Sequence, residues 1–167
     1  IYERYQDRVG RIRIITNGGV LPSEKLLHTI KECGVEVNVS NYLNEIDYKQ
    51  RFNQVIDAFE EKEISYKVIP VLQWRDFGFP EKPCERTKEE TRRHMLACGT
   101  AWHGLADGCL YYCNSAWSAI KCGLFAKKKT DYIDLKLLTD RDESKKTIIE
   151  LCLGDGEFQY NSFCQVC

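Results

Sequence analysis

Apolar residues in the first 70 positions follow two alternating patterns. Short runs rich in β-branched residues predict strands at residues 11–16, 35–40 and 66–69. Between these runs, apolar residues recur every three to four positions, which predicts two helices that each bury one face. The apolar faces comprise Leu26, Leu27, Ile30 and Cys33 in the first helix and Tyr48, Phe52, Val55, Ile56 and Phe59 in the second. This part of the chain is therefore predicted to fold as β-α-β-α-β.

Turn and cap residues predict where these strands and helices begin and end. Asn17 and the two glycines after it form a strong turn signal behind the first strand. Pro22 and Ser23 are typical of a helix start, and Gly34 is expected to end that helix. Pro70 lacks an N–H for the ladder, so the third strand is expected to end there or to lie at a sheet edge.

The alternation of strands and helices indicates an α/β fold with parallel strands and right-handed crossovers. Periodicity alone is compatible with an open sheet and with a fragment of a partial parallel (β/α) barrel. In both architectures ligands collect at the carboxyl ends of the strands. Asn17 and Ser40 lie at such ends, although a turn residue and a strand-end cap are equally good interpretations. Trp74 and Asp76 could line a substrate cavity, or could be a core tryptophan and a solvent-facing aspartate.

The pattern changes after residue 77. Residues 79–83 contain two prolines and resemble a linker, and residues 88–98 are charged and predicted to be helical. Beyond them, cysteines, aromatic residues and glycines follow one another with little periodicity, which predicts an irregular segment. We therefore predict a first domain at residues 1–78 and a small cysteine-rich lobe at residues 79–167. Small lobes of this kind commonly depend on a bound metal for stability.

Composition narrows the possible functions. The chain of 167 residues carries 24 lysines and arginines against 25 aspartates and glutamates, so there is no basic surface and nucleic acid is not an expected partner. No apolar run approaches the roughly 20 residues of a membrane helix, and no signal peptide is recognisable. We therefore expect a cytoplasmic protein without membrane contact. Its nine cysteines then favour metal binding or catalysis over disulfides; an exported, disulfide-linked domain is a weaker alternative.

Four cysteines have the spacing of a metal site. Cys98 and Cys113 enclose Gly108 in a C-x9-G-x4-C element, and Cys164 and Cys167 form a C-x2-C pair. Four thiolates in two separated pairs suit an iron–sulfur cluster or zinc. Buried thiols or adventitious disulfides remain the alternative. Other residues that could replace a ligand are Cys84, Cys109, Cys122, His94 and His103, whereas Cys33 and Cys152 are predicted to be small core residues.

The same elements resemble a known enzyme family. Residues 14–18, 21–27 and 37–42, in that order, resemble the later half of the core of radical S-adenosylmethionine (radical SAM) enzymes. The C-x9-G-x4-C element resembles the opening of their SPASM or twitch extension, and the closing C-x2-C pair fits its later ligands. The resemblance implies an auxiliary [4Fe–4S] cluster on Cys98, Cys113, Cys164 and Cys167. It also implies polar contacts from Asn17 and Ser40 to S-adenosylmethionine.

One element of the family pattern is missing. Radical SAM enzymes hold their catalytic cluster in a C-x3-C-x2-C loop, and the only C-x3-C here, Cys109 to Cys113, lies in the wrong region. The chain therefore resembles the C-terminal portion of such an enzyme and is not expected to cleave S-adenosylmethionine alone, so no catalytic residue is assigned. The intact enzyme would generate a radical that attacks a peptide, a sugar derivative or another small molecule. The alternative is a non-catalytic module that binds zinc or a cluster and presents an interaction surface.

Overall fold

The computed structural model describes residues 2–5, 7–71, 79–82, 84–98 and 102–167. The chain divides into two compact units, Ile1–Arg75 and Asp76–Cys167. The boundary predicted after residue 78 lies outside the described residues, as do Trp74 and Asp76. Within the described ranges, no helix is long and apolar enough to cross a membrane.

The first unit contains a parallel three-stranded sheet. After a short helix α1 (Tyr2–Tyr5), the order is β1 (Arg13–Thr16), α2 (Glu24–Glu32), β2 (Glu36–Asn41), α3 (Lys49–Glu61) and β3 (Tyr66–Pro70). Strand β2 is central and pairs in parallel with both neighbours. The predicted β-α-β-α-β order and parallel α/β sheet are confirmed. Pro70 ends β3, which is an outer strand of the described sheet, as its missing N–H requires.

The two helices bury their predicted faces against β2. The core consists of Leu27 and Ile30 from α2, Phe52, Val55 and Phe59 from α3, and Val35, Val37, Val39 and Ile64 from the sheet and its flanking turns. Ser23 caps α2, since its hydroxyl accepts a hydrogen bond from the N–H of Leu26 at 3.3 Å. Leu26 itself is 45% exposed, so the apolar face of α2 is narrower than predicted.

The second unit is more regular than the sequence indicates. It contains α4 (Lys88–Ala97), α5 (Asn114–Lys121), α6 (Arg141–Leu153) and an antiparallel sheet of β4 (Gly104–Ala106), β5 (Cys109–Tyr111) and β6 (Tyr132–Asp134). Short 3₁₀ helices lie at Lys129–Asp131, Leu135–Leu137, Gly156–Phe158 and Ser162–Gln165. The irregular segment predicted after residue 98 is therefore wrong, because three short strands leave almost no periodicity to detect.

Two small cores hold the second unit together. One contains Met95, Tyr112, Ile133, Leu151, Phe158 and Cys164, and the other contains Ala116, Ala119 and Phe163. Cys113 packs against both cores. Helix α6 ends at Gly154, whose φ of 65° suits a helix C-cap and where a Cβ would lie 2.5 Å from the Met95 side chain. The cysteines are therefore embedded in a packed structure.

Candidate metal centre

Gly108 of the C-x9-G-x4-C element lies in the turn between β4 and β5. Asp107 and Gly108 have φ angles of 54° and 79°. Two-residue hairpin turns need positive φ at both central positions, which glycine adopts without strain. A Cβ on Gly108 would also lie 2.9 Å from the Lys136 side chain. The glycine between the two cysteines thus marks the point where the chain reverses.

The hairpin returns the chain to the end of α4. Below the paired strands, His103 Nδ1 lies 2.8 Å from the carbonyl oxygen of Tyr112. The Tyr112 hydroxyl is buried and donates to the carbonyl oxygen of Met95 in α4 at 3.2 Å. Cys113 follows Tyr112 directly, and Cys98 is the C-cap of α4. Between the two cysteines, residues 104–111 therefore form a hairpin.

A buried carboxylate positions the C-terminal cysteine pair. Asp131 is fully buried and accepts hydrogen bonds from the Ser162 N–H at 2.7 Å and from the Ser162 hydroxyl at 2.7–2.8 Å. Its second oxygen also accepts from the Lys128 N–H at 3.2 Å. Ser162 begins the 3₁₀ helix that contains Cys164. Asp131 therefore fixes the start of the segment that carries the C-x2-C pair.

Residues ahead of α4 hold the other end of this segment. Arg86 donates from Nη1 to the backbone oxygen of Cys164 at 3.2 Å and also to the backbone oxygen of Cys167. The Cys84 N–H donates to the carbonyl oxygen of Val166 at 3.1 Å. Cys164 is buried and Cys167 is half-buried. The segment is thus held from two sides.

The electrostatics indicate that the four cysteines share one neighbourhood. Burial raises the pKa of the Cys164 thiol most, and Cys113, Cys167 and Cys98 raise it further. Burial, Cys113 and Cys98 raise the pKa of Cys167 in the same way. Repulsion of this kind fades within about 10 Å. Packing brings Cys113 near Cys164 in one core and near Cys167 at the other, and Cys98 lies at the end of α4. Metal binding by the four cysteines stays a prediction.

The described residues contain no group of three or more histidine, cysteine, aspartate or glutamate side chains placed to hold a metal ion. A single zinc would need thiolates at about 2.3 Å from one point, hence about 4 Å from one another. In a [4Fe–4S] cluster each thiolate binds a different iron, so the sulfur atoms lie farther apart. The described residues therefore do not themselves form a metal site, and the choice between a cluster and zinc stays a prediction.

The surroundings of this group are apolar. Tyr112 is buried, and burial, Cys164, Cys98 and Cys113 together raise its pKa. Phe79, Phe125 and Phe163 form a cluster with ring centroids 5.1–6.3 Å apart. A cavity of about 290 Å³ opens beside them, with Cys167, Cys122, Ser115 and Ser118 in its wall. Low polarity of this kind limits solvent access to a metal centre.

The two residues predicted to contact S-adenosylmethionine lie at one edge of the first unit. Asn17 follows the last residue of β1, and Ser40 is near the end of its parallel neighbour β2. Asn17 is exposed, and its Oδ1 accepts from the Gly19 N–H at 3.0 Å, which is the turn role weighed above. Ser40 is half-buried, and its carbonyl oxygen accepts from the Tyr48 hydroxyl at 3.4 Å.

The remaining cysteines differ in their surroundings. Cys33 is half-buried against the core of the first unit, and burial raises the pKa of Cys152 in α6. Cys109 is buried, with Lys127 Nζ donating to its sulfur at 3.7 Å. Cys122 is exposed at the end of α5. Cys33 thus has the core role predicted for it, whereas Cys152 is half-buried in α6.

The two histidines named as alternative ligands also have other surroundings. Burial, with a smaller effect of Arg86, lowers the pKa of His94. The ring of His103 packs edge-on against Tyr112, with the centroids 5.5 Å apart. Neither histidine is among the groups that raise the pKa of Cys164.

The structure also shows that Arg86, Asp131 and Ser162 hold the segment that carries Cys164 and Cys167. The sequence alone does not identify these three residues. Each acts through backbone groups or a distant hydroxyl, for which no sequence motif exists. No protein-family model, no curated protein and no solved structure matches this chain.

Proposed function

We propose that the second unit is a cysteine-rich lobe that binds one [4Fe–4S] cluster through Cys98, Cys113, Cys164 and Cys167. The observation that carries this proposal is the packing of Cys113 against the core that contains Cys164 and also against the core that Cys167 packs against. Four thiolates match the four outer sites of a cubane cluster. Burial raises the pKa of Cys164 and Cys167, so cluster assembly on these two thiols would release protons.

The bound cluster would supply electron transfer. The chain's own residues would bind and shield it. Tyr112 and the ring of Phe163 exclude water from the thiols, and Asp131 and Arg86 hold the backbone of the C-x2-C segment without using a ligand atom. The sulfur atoms of the four cysteines therefore remain available to bind iron.

We further propose that this chain is the C-terminal portion of a radical SAM enzyme, with the first unit as part of a partial parallel (β/α) barrel. The placement of Asn17 and Ser40 at the carboxyl edge of neighbouring parallel strands supports polar contacts to S-adenosylmethionine. The intact enzyme would use the auxiliary cluster to relay electrons or to anchor a peptide or small-molecule substrate.

A second candidate is a non-catalytic module in which zinc or a cluster fixes the lobe. The two packed cores of the second unit favour it, because they provide a stable scaffold for an interaction surface. Natively purified protein with one zinc per chain would favour the module. Iron and sulfide are required by the enzyme portion and are compatible with both candidates.

Anaerobic reconstitution of Cys113→Ser tests the ligand set. The wild-type chain should bind about four irons and develop broad absorption in the violet-blue region, as one cubane requires. Cys113→Ser should lose this iron, because an alcohol is a poor iron ligand. Cys152→Ser, in the same unit but in α6, is the matched control and should keep full iron content. Equal iron in both variants would show that Cys113 is not a ligand.

A further inference from the structure

A fifth cysteine, Cys84, lies next to the segment that carries Cys164 and Cys167. Cys84 donates its N–H to the carbonyl oxygen of Val166, the residue before Cys167, at 3.1 Å. Two residues later, Arg86 binds the backbone oxygens of Cys164 and Cys167. Three hydrogen bonds therefore hold residues 84–86 against the last four residues of the chain.

This pairing brings the backbones of Cys84 and Cys167 within disulfide range. With standard bond lengths, the hydrogen bond leaves their Cα atoms no more than about 7 Å apart. Disulfides form at Cα separations of roughly 4.4–6.8 Å. Both residues are free thiols in the structure.

We propose that Cys84 and Cys167 form a reversible disulfide when the metal-free protein meets a hydroperoxide. Exposed Cys84 attacks the peroxide oxygen, and the O–O bond breaks to give a sulfenic acid and one water molecule. The sulfur of Cys167 then attacks the sulfenic sulfur, and a second water leaves. Two thiols and one hydrogen peroxide thus give one disulfide and two waters, and a dithiol reductant reverses the step.

The disulfide would compete with the metal. Cys167 in a disulfide has no thiolate to offer to iron, so oxidised protein could not assemble the centre until it was reduced. This consequence rests on the proposed function, whereas the disulfide itself does not. A loaded cluster should in turn protect Cys167 and leave Cys84 open to alkylation.

Oxidation of metal-free protein with one equivalent of hydrogen peroxide tests the pair. After the remaining thiols are alkylated, non-reducing peptide mapping should give a cross-link from Cys84 to the C-terminal peptide, lighter than the two free peptides by two hydrogens. Cys164→Ser and Cys122→Ser should keep this cross-link, and Cys84→Ser and Cys167→Ser should abolish it. Persistence of the cross-link in Cys167→Ser, or full alkylation of Cys84 after oxidation, would overturn the proposal.

Iron binding by Cys84→Ser separates the outcomes. Full iron content in this variant, together with the cross-link in the wild-type chain, supports both proposals. A cross-link without iron binding in any variant supports the disulfide and refutes the cluster. Loss of iron in Cys84→Ser would make Cys84 a ligand and would refute the proposed ligand set, whereas absence of the cross-link in the metal-free wild-type chain would refute the disulfide.

Discussion

Removing the carboxylate of Asp131 should destabilise the second unit strongly. The side chain is fully buried and satisfies both the N–H and the hydroxyl of Ser162. In Asp131→Ala these two donors stay buried without an acceptor, and each costs about 1–3 kcal/mol. The Lys128 N–H loses its acceptor as well. We expect a loss of about 4 kcal/mol in the free energy of unfolding, a large part of a typical domain's stability of about 5–15 kcal/mol.

Urea unfolding of the metal-free protein measures this loss. With Trp74 of the first unit replaced by phenylalanine in every variant, tryptophan fluorescence reports on the second unit through Trp102 and Trp117. Asp155→Ala is the matched control, since this aspartate is exposed and makes no side-chain cap hydrogen bond; it should change stability by less than about 0.5 kcal/mol. A double-mutant cycle with Ser162→Ala should give a coupling energy above about 1 kcal/mol. A loss below about 1 kcal/mol for Asp131→Ala, or no coupling, would refute the anchoring role.

Two further predictions concern the hairpin turn and pH. Gly108→Ala should cost about 1–2 kcal/mol, because its φ is 79° and the new Cβ would meet Lys136, whereas Gly104→Ala in the same unit, where the nearest contact of a Cβ would be 3.5 Å, should be near neutral in the same urea assay. The pKa values of Cys164 and Cys167 are raised in the fold, so metal-free protein should be most stable below the ordinary thiol pKa of about 8.5 and lose stability as pH rises above it. A melting temperature that rises between pH 8 and 10 would contradict this sign.

The strands and helices of the first unit could be predicted from the sequence, because their patterns depend on residues that are close together in the chain. Helical spacing identified the faces with Phe52 and Val55, and the missing N–H of Pro70 placed the end of β3. Leu26 shows the limit of this reasoning. Its spacing predicts burial, yet its side chain is 45% exposed.

The second unit was less predictable because its order depends on contacts between distant residues. The Asp107-Gly108 turn carries a sequence signal for a hairpin, but its strands are only three residues long. The burial of Asp131 has no such signal, since aspartate is usually exposed and its partner lies 31 residues away. The spacing of the cysteines suggested that they converge, and only the hairpin and the Ser162–Gln165 helix show how the chain achieves this.

The hydrogen bonds of Arg86 have a practical consequence for mutagenesis. Its guanidinium donates to the main-chain oxygens of residues 164 and 167. These oxygens are present whichever side chain the residue carries. Replacing the side chain of Cys164 or Cys167 therefore leaves these hydrogen bonds in place. A serine scan across the terminal pair should report on the chemistry of the thiols themselves, uncoupled from the architecture that presents them.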